Sequence, residues 1–109
     1  MFTFVARPRF TAEVTVHQPG AAAPQTFTGQ FEALPEEETE ALQSPDTPRD
    51  KIAANNREWL NRIFVGWGDD LVVDGVPLPV TDANKAMLLG AQWMRSAVTL
   101  AYLPEISRR

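Results

Sequence analysis

Few residues of this chain are of types that do chemistry, and their spacing argues against most of what they could do. His17 is the only histidine. It stands at the polar end of an alternating segment with no Ser or Cys placed beside it, so it reads as a solvated strand-end residue and not as a general base. Asp69, Asp70 and Asp74 invite a calcium loop. With Asp70 as first ligand, Gly75 falls at the required turn position. Yet Val72 occupies the third ligand position, and Thr81 stands where the closing carboxylate must be. Asp74-Gly75 is better read as a turn in which Gly75 takes positive φ. Glu36-Glu37-Glu38 could supply an acid–base pair, but adjacent residues at a helix start point in different directions, and such pairs need a desolvated cleft. Gly66-x-Gly68 lacks the spacing and the Lys-Ser or Lys-Thr of a phosphate loop. No catalytic, cofactor-binding or metal-binding residues are assigned, and the chain is expected not to be an enzyme.

The elements around these residues are legible from periodicity. Between Arg9 and His17, Phe10, Ala12, Val14 and Val16 fall on one face and Thr11, Glu13 and Thr15 on the other. Between Gln25 and Leu34, Phe27, Gly29, Phe31 and Ala33 alternate with Thr26, Thr28, Gln30 and Glu32. Period-two alternation of this kind predicts two half-buried strands. The Pro- and Gly-punctuated stretch 18–24 between them makes an antiparallel ribbon with a loop tip. Phe2 and Phe4 are expected to extend the sheet before Pro8 interrupts it.

A ribbon of two strands is marginal alone, so helices must cover its apolar face. Pro35 is placed at the first position of a short acidic helix, with Glu36–Glu38 in its first turn. Ser44-Pro45-Asp46-Thr47-Pro48 breaks the chain. Thr47 is then the expected cap of a second helix with Pro48 at N1, in which Ile52, Trp59, Leu60, Ile63, Phe64 and Trp67 recur at helical spacing to a stop near Gly66. Thr81 opens a further helix. Gly90 kinks or splits it, and Pro104 ends it. The fold class expected is α+β, an N-terminal antiparallel β-ribbon packed on a C-terminal helical unit of two to four helices. One domain spans 1–109: ribbon 1–34, acidic helix and Pro-rich link 35–47, helical unit 48–109.

Composition narrows the function classes. Of 109 residues 44% are apolar, which is a globular composition. A net charge of -4, with basic residues scattered, speaks against a nucleic-acid backbone as partner. There is no cysteine, which excludes disulfides and thiolate metal sites. No apolar run is long enough to span a bilayer, and residues 1–8 do not read as a signal peptide, so a cytosolic setting is expected. Three Trp and three Met are a generous allotment for so short a chain. The rings are most simply core, but one Trp- and Met-bearing face left exposed would make an adaptable partner groove. The surface around Gly90 to Leu103 is too broad for a small sheet to cover. Trp93, Met94, Ala97, Leu100, Ala101 and Tyr102 are therefore the expected partner-binding residues, with self-association as another way of covering them.

The order of motifs resembles a family. Val65-Gly66-Trp67, an acidic link, Asp74-Gly75-x-Pro77-Leu78-Pro79, Thr81, Leu88-Leu89 and Ala101-Tyr102 resemble the tail assembly chaperones of long-tailed bacteriophages and prophages. The resemblance covers roughly the C-terminal half and, more weakly, the N-terminal segment. It implies a non-enzymatic protein of the host cytoplasm that holds the tape measure protein soluble while tail tube protein polymerises around it. Many members read as mostly helical, whereas residues 9–34 read here as a β-ribbon. The alternative is a structural tail or head-completion protein that stays in the virion, its ribbon adding to a neighbouring subunit's sheet.

Overall fold

In a computed structural model that describes residues 1–107, the two alternating segments form β1 (Arg9–Val16) and β2 (Gln25–Glu32). They pair antiparallel without interruption from Arg9↔Glu32 to Val16↔Gln25. The alternation is expressed as burial. Val14, Val16, Phe27 and Phe31 are buried and Phe10 and Ala12 half-buried, while Thr11, Glu13, Thr26, Thr28 and Gln30 are exposed on the other face. Gly29 belongs to the inner face because nothing larger fits: a Cβ there would lie 2.8 Å from the Phe31 ring and 2.9 Å from a Val14 methyl. Phe2 and Phe4 do not extend the sheet, contrary to expectation; they precede β1 and are exposed. The Pro8 carbonyl takes the Ala33 amide at 2.9 Å, after which the chain turns into Pro35, so no strand remains to pair with earlier residues.

α1 (Glu36–Leu42) and α2 (Arg49–Ile63) each begin one residue later than the sequence suggests. Pro35 and Pro48 stand outside the helices with extended ψ of 147° and 144°, and neither Thr47 nor any other side chain caps α2. Carboxylates in the first turns, Glu36–Glu38 and Asp50, face the positive end of each helix instead.

The larger correction comes next. α2 stops at Ile63, and Phe64–Trp67 is not its last turn but a strand, β3, which completes a sheet of order β1-β2-β3. Phe31 faces Phe64 and Gly29 faces Trp67, with a register shift between Gln30 and Phe31 that leaves Val65 as the extra residue. The bulge turns Phe64 and Trp67, three residues apart, onto the same buried face.

β4 (Val72–Val73) and β5 (Val76–Pro77) form a small hairpin. Asp74 (φ 53°) and Gly75 (φ 80°) make its two-residue turn, both left-handed as a type I′ turn requires. Trp67 Nε1 donates to the Leu78 carbonyl at 2.7 Å and locks the hairpin's exit to β3. α3 (Asp82–Leu89) is capped as expected, the Thr81 hydroxyl accepting from the Asn84 amide at 3.1 Å. The helix splits at Gly90, and the Arg95 guanidinium donates to the freed Leu89 carbonyl at 2.8 Å. α4 (Gln92–Ser107) then runs through Pro104 and is not ended by it. The carbonyl that Pro104 leaves without a donor is that of Leu100, an exposed residue, so solvent can take its place.

The architecture is α+β in two layers. α2 lies over β2 and β3, α4 lies over β1, and one aromatic core fills the space between. Phe31, Phe64 and Tyr102 at its centre are fully buried.

Candidate protein-binding site

α4 divides the residues that the sequence placed on one partner-facing surface. Met94 (5% exposed), Ala97 (4%) and Tyr102 (0%) are core residues of the helix–sheet layer. Trp93 and Ala101 are half-buried, and Leu100 at 70% is the one that stands in solvent. Tyr102 is built into the core in detail. Its ring lies 6.0 Å from those of Phe10 and Phe31 and meets Trp59 edge-on at 5.5 Å. Its hydroxyl accepts the Leu34 amide at 3.1 Å, tying α4 to the end of the ribbon. Burial pushes its pKa up, and the Leu34 N–H partly opposes that. The apolar stripe is broad because one helix serves a sheet on one side and an open groove on another.

That groove runs between α2 and α4 and encloses about 610 Å³. Its apolar lining is Ala53, Trp59, Leu60 and Leu100, and its polar lining includes Arg57 and Arg95. From the sequence, Trp59 and Leu60 were read as one helix face and Leu100 as partner-binding, while Ala53, Arg57 and Arg95 were not singled out; only the crossing of the helices brings them together. The N-terminal half of α2 supplies one wall because it overhangs the core: Ile52, Ala53 and Ala54 are exposed, and burial begins at Trp59. Trp59 is buried, yet its indole N–H has no acceptor among the described residues. A second exposed apolar surface, Val72, Val73 and Val76 of the hairpin with Val80 and Met87 beyond it, was not singled out from the sequence.

The residues first weighed for chemistry have structural surroundings. His17 is exposed just beyond β1. Asp70 accepts hydrogen bonds from both the amide and the hydroxyl of Thr28, each at 2.9 Å. The carboxylate thus stands where a longer β3 would have offered a carbonyl to β2. The backbone N–H of Thr28, then its hydroxyl, hold the Asp70 carboxyl below the usual range. Glu38 pairs with Arg7, which lowers the carboxyl pKa and raises that of the guanidinium, and Arg9 lies 3.4 Å from Glu32. Lys85 donates to the Asn61 carbonyl at the end of α2 at 2.8 Å. None of these contacts was read from the sequence, since partners 42 or 31 positions apart leave no local pattern.

Comparison of the chain with protein-family models, with curated proteins and with solved structures returns no match. No helix among the described residues is long and apolar enough to cross a membrane.

Proposed function

We propose that this chain is a non-enzymatic tail assembly chaperone of a long-tailed phage or prophage, acting in the host cytoplasm to hold the tape measure protein soluble while tail tube protein assembles around it. The observation that carries the reading is the groove between α2 and α4. Two helices border an apolar floor, with Arg57 and Arg95 beside it, which suits an amphipathic client helix bearing acidic flanks. The motif resemblance supplies the identity of the client. The groove supplies a surface on which a helix can be held without chemistry. Leu100 is its exposed apolar anchor, and the core position of Met94 separates client binding from folding.

The test is co-expression with the tape measure protein. Leu100→Glu and Ala53→Glu put a carboxylate into the groove at exposed positions, so circular dichroism should show an unchanged fold while pull-down of the client falls to background. Folded variants that still hold the tape measure protein soluble would overturn the groove as the client site.

A further inference from the structure

The open edge of β1 has a chemistry that the client groove does not explain. Which backbone groups it offers follows from the hydrogen bonds already described. Thr28 turns both its amide and its carbonyl toward β3, the amide to Asp70 and the carbonyl to the Gly68 N–H at 2.9 Å. By the alternation of an antiparallel strand, Phe27, Gly29 and Phe31 turn theirs toward β1, where they face Val14, Ala12 and Phe10. Arg9, Thr11, Glu13 and Thr15 therefore direct their N–H and C=O groups outward, along an edge whose side chains at these positions are all exposed. Arg9 and Glu13 are the only charges on this edge, and its other usual defences are missing. β1 is eight residues long, contains no Pro or Lys, and pairs with β2 without a bulge.

We propose that the β1 edge pairs with the β1 edge of a second copy of this chain, antiparallel about a twofold axis at Thr11, joining two three-stranded sheets into one. The charge pattern selects both the occupant and the register. With the axis at Thr11, Arg9 faces the second copy's Glu13 and Glu13 faces the second copy's Arg9, on the polar face and in pairs that exchange both backbone hydrogen bonds. Moving the axis to Glu13 sets two carboxylates opposite each other. Moving it to Ala12 faces Arg9 with Thr15 and Glu13 with Thr11, and the direct charge pairing is lost. The inner face agrees. Phe10 comes opposite the second copy's Ala12, and these two are the half-buried members of an apolar row in which Val14 and Val16 are already buried.

α4 lies over the same strand, so a second copy must also be accommodated there. At about 100° per residue, Arg95 and Thr99 share the flank of α4 that lines the groove toward α2. Trp93 and Pro104 fall on the opposite flank, with the core residue Ala97 between them along the helix. That flank is apolar, with a small residue at its middle, and the two α4 helices of the pair would run antiparallel along it.

The experiment needs only this chain, so its failure is separate from any failure of the chaperone reading. With no native cysteine, Thr11→Cys provides a single thiol. Facing residues of a hydrogen-bonded antiparallel pair are about 5.5 Å apart at Cα, within disulfide range. Thr11→Cys should oxidise to a covalent dimer, while Thr15→Cys, on the same face but far from its counterpart, should not. Light scattering should give a dimer mass for the wild type. Glu13→Arg should weaken the dimer by roughly tenfold or more, and the swap Arg9→Glu with Glu13→Arg, made together with Glu32→Gln because Arg9 also pairs with Glu32 within the chain, should restore it. A wild type that remains monomeric at all concentrations overturns the proposal, as does equal cross-linking through Thr15→Cys or a swap that fails to restore dimers. Protection of the β1 amides from exchange only when a client is added would overturn it in favour of a client strand.

Discussion

Tyr102→Phe isolates one hydrogen bond on which the joint between α4 and the ribbon depends. The substitution keeps the ring and its contacts with Phe10, Phe31 and Trp59. It removes only the oxygen that accepts the Leu34 amide at 3.1 Å. An N–H left without its acceptor beside a buried ring costs about 1 kcal/mol, more where water cannot reach it. For a chain of this size that lowers Tm by about 4–8 °C, with the urea m-value unchanged because the same surface is buried. The alkaline limb supplies a second reading. Burial raises the pKa of Tyr102, so the stability tied to its neutral hydroxyl is full below the ordinary value of about 10 and is lost as pH rises through the folded value. Lys85 acts in the opposite sense: burial lowers its pKa, so the folded state releases that proton early and gains stability as pH rises. Lys85 is common to both proteins, and their difference belongs to Tyr102. Since Tyr102 is the only tyrosine, tyrosinate absorbance reports its titration directly. An unchanged Tm, or the same alkaline loss in Tyr102→Phe, would refute the reasoning.

Two further substitutions examine the sheet. Gly29→Ala places a methyl 2.8 Å from Phe31 and 2.9 Å from Val14, both fully buried, and should cost about 1–3 kcal/mol in urea unfolding. Asp70→Asn weakens the bonds from Thr28 and should lower Tm at neutral pH. Because the Asp70 pKa is depressed on folding, its contribution is full above the ordinary value of about 3.9 and is lost as pH falls through the folded value, so calorimetric curves of the two proteins should converge in acid.

What the sequence disclosed and what it concealed follow from the range of the interactions involved. Both ribbon strands were legible because Val14, Phe27 and Phe31 alternate with threonines within a few residues. The Asp74-Gly75 turn and the Thr81 cap were legible because each is local chemistry. β3 was concealed by its own bulge. Phe64 and Trp67 continue the spacing of Leu60 and Ile63, and with Val65 bulged they reach one buried face as a strand, just as they would have as a helix. Pro104 misled for a related reason: a proline near the C-terminal end of a helix removes one bond, and an exposed carbonyl at Leu100 bears that cheaply. In the site, periodicity correctly marked α4 as apolar on several sides. It could not say which side met β1, because that depends on where α2 lies. Met94, Ala97 and Tyr102 went to the core, Leu100 to the groove, and Arg57 joined it from another helix.

The placement of α4 also explains why apolar surface remains. With helices on only one face of three strands, α2 covers β2 and β3 and leaves β1 to α4 alone. A helix over an edge strand has a sheet beneath it and a neighbour on one flank only, so an apolar arc wide enough for two neighbours is left half-used. The two unfilled features then differ in kind. The β1 edge offers backbone hydrogen bonds and a charge register that a second copy can read. The α2–α4 groove offers an apolar floor between arginines, which a helix can read. α2 borders the groove and does not border the β1 edge, so the two are distinct surfaces, and a chain paired along β1 would present two such grooves related by the same twofold axis.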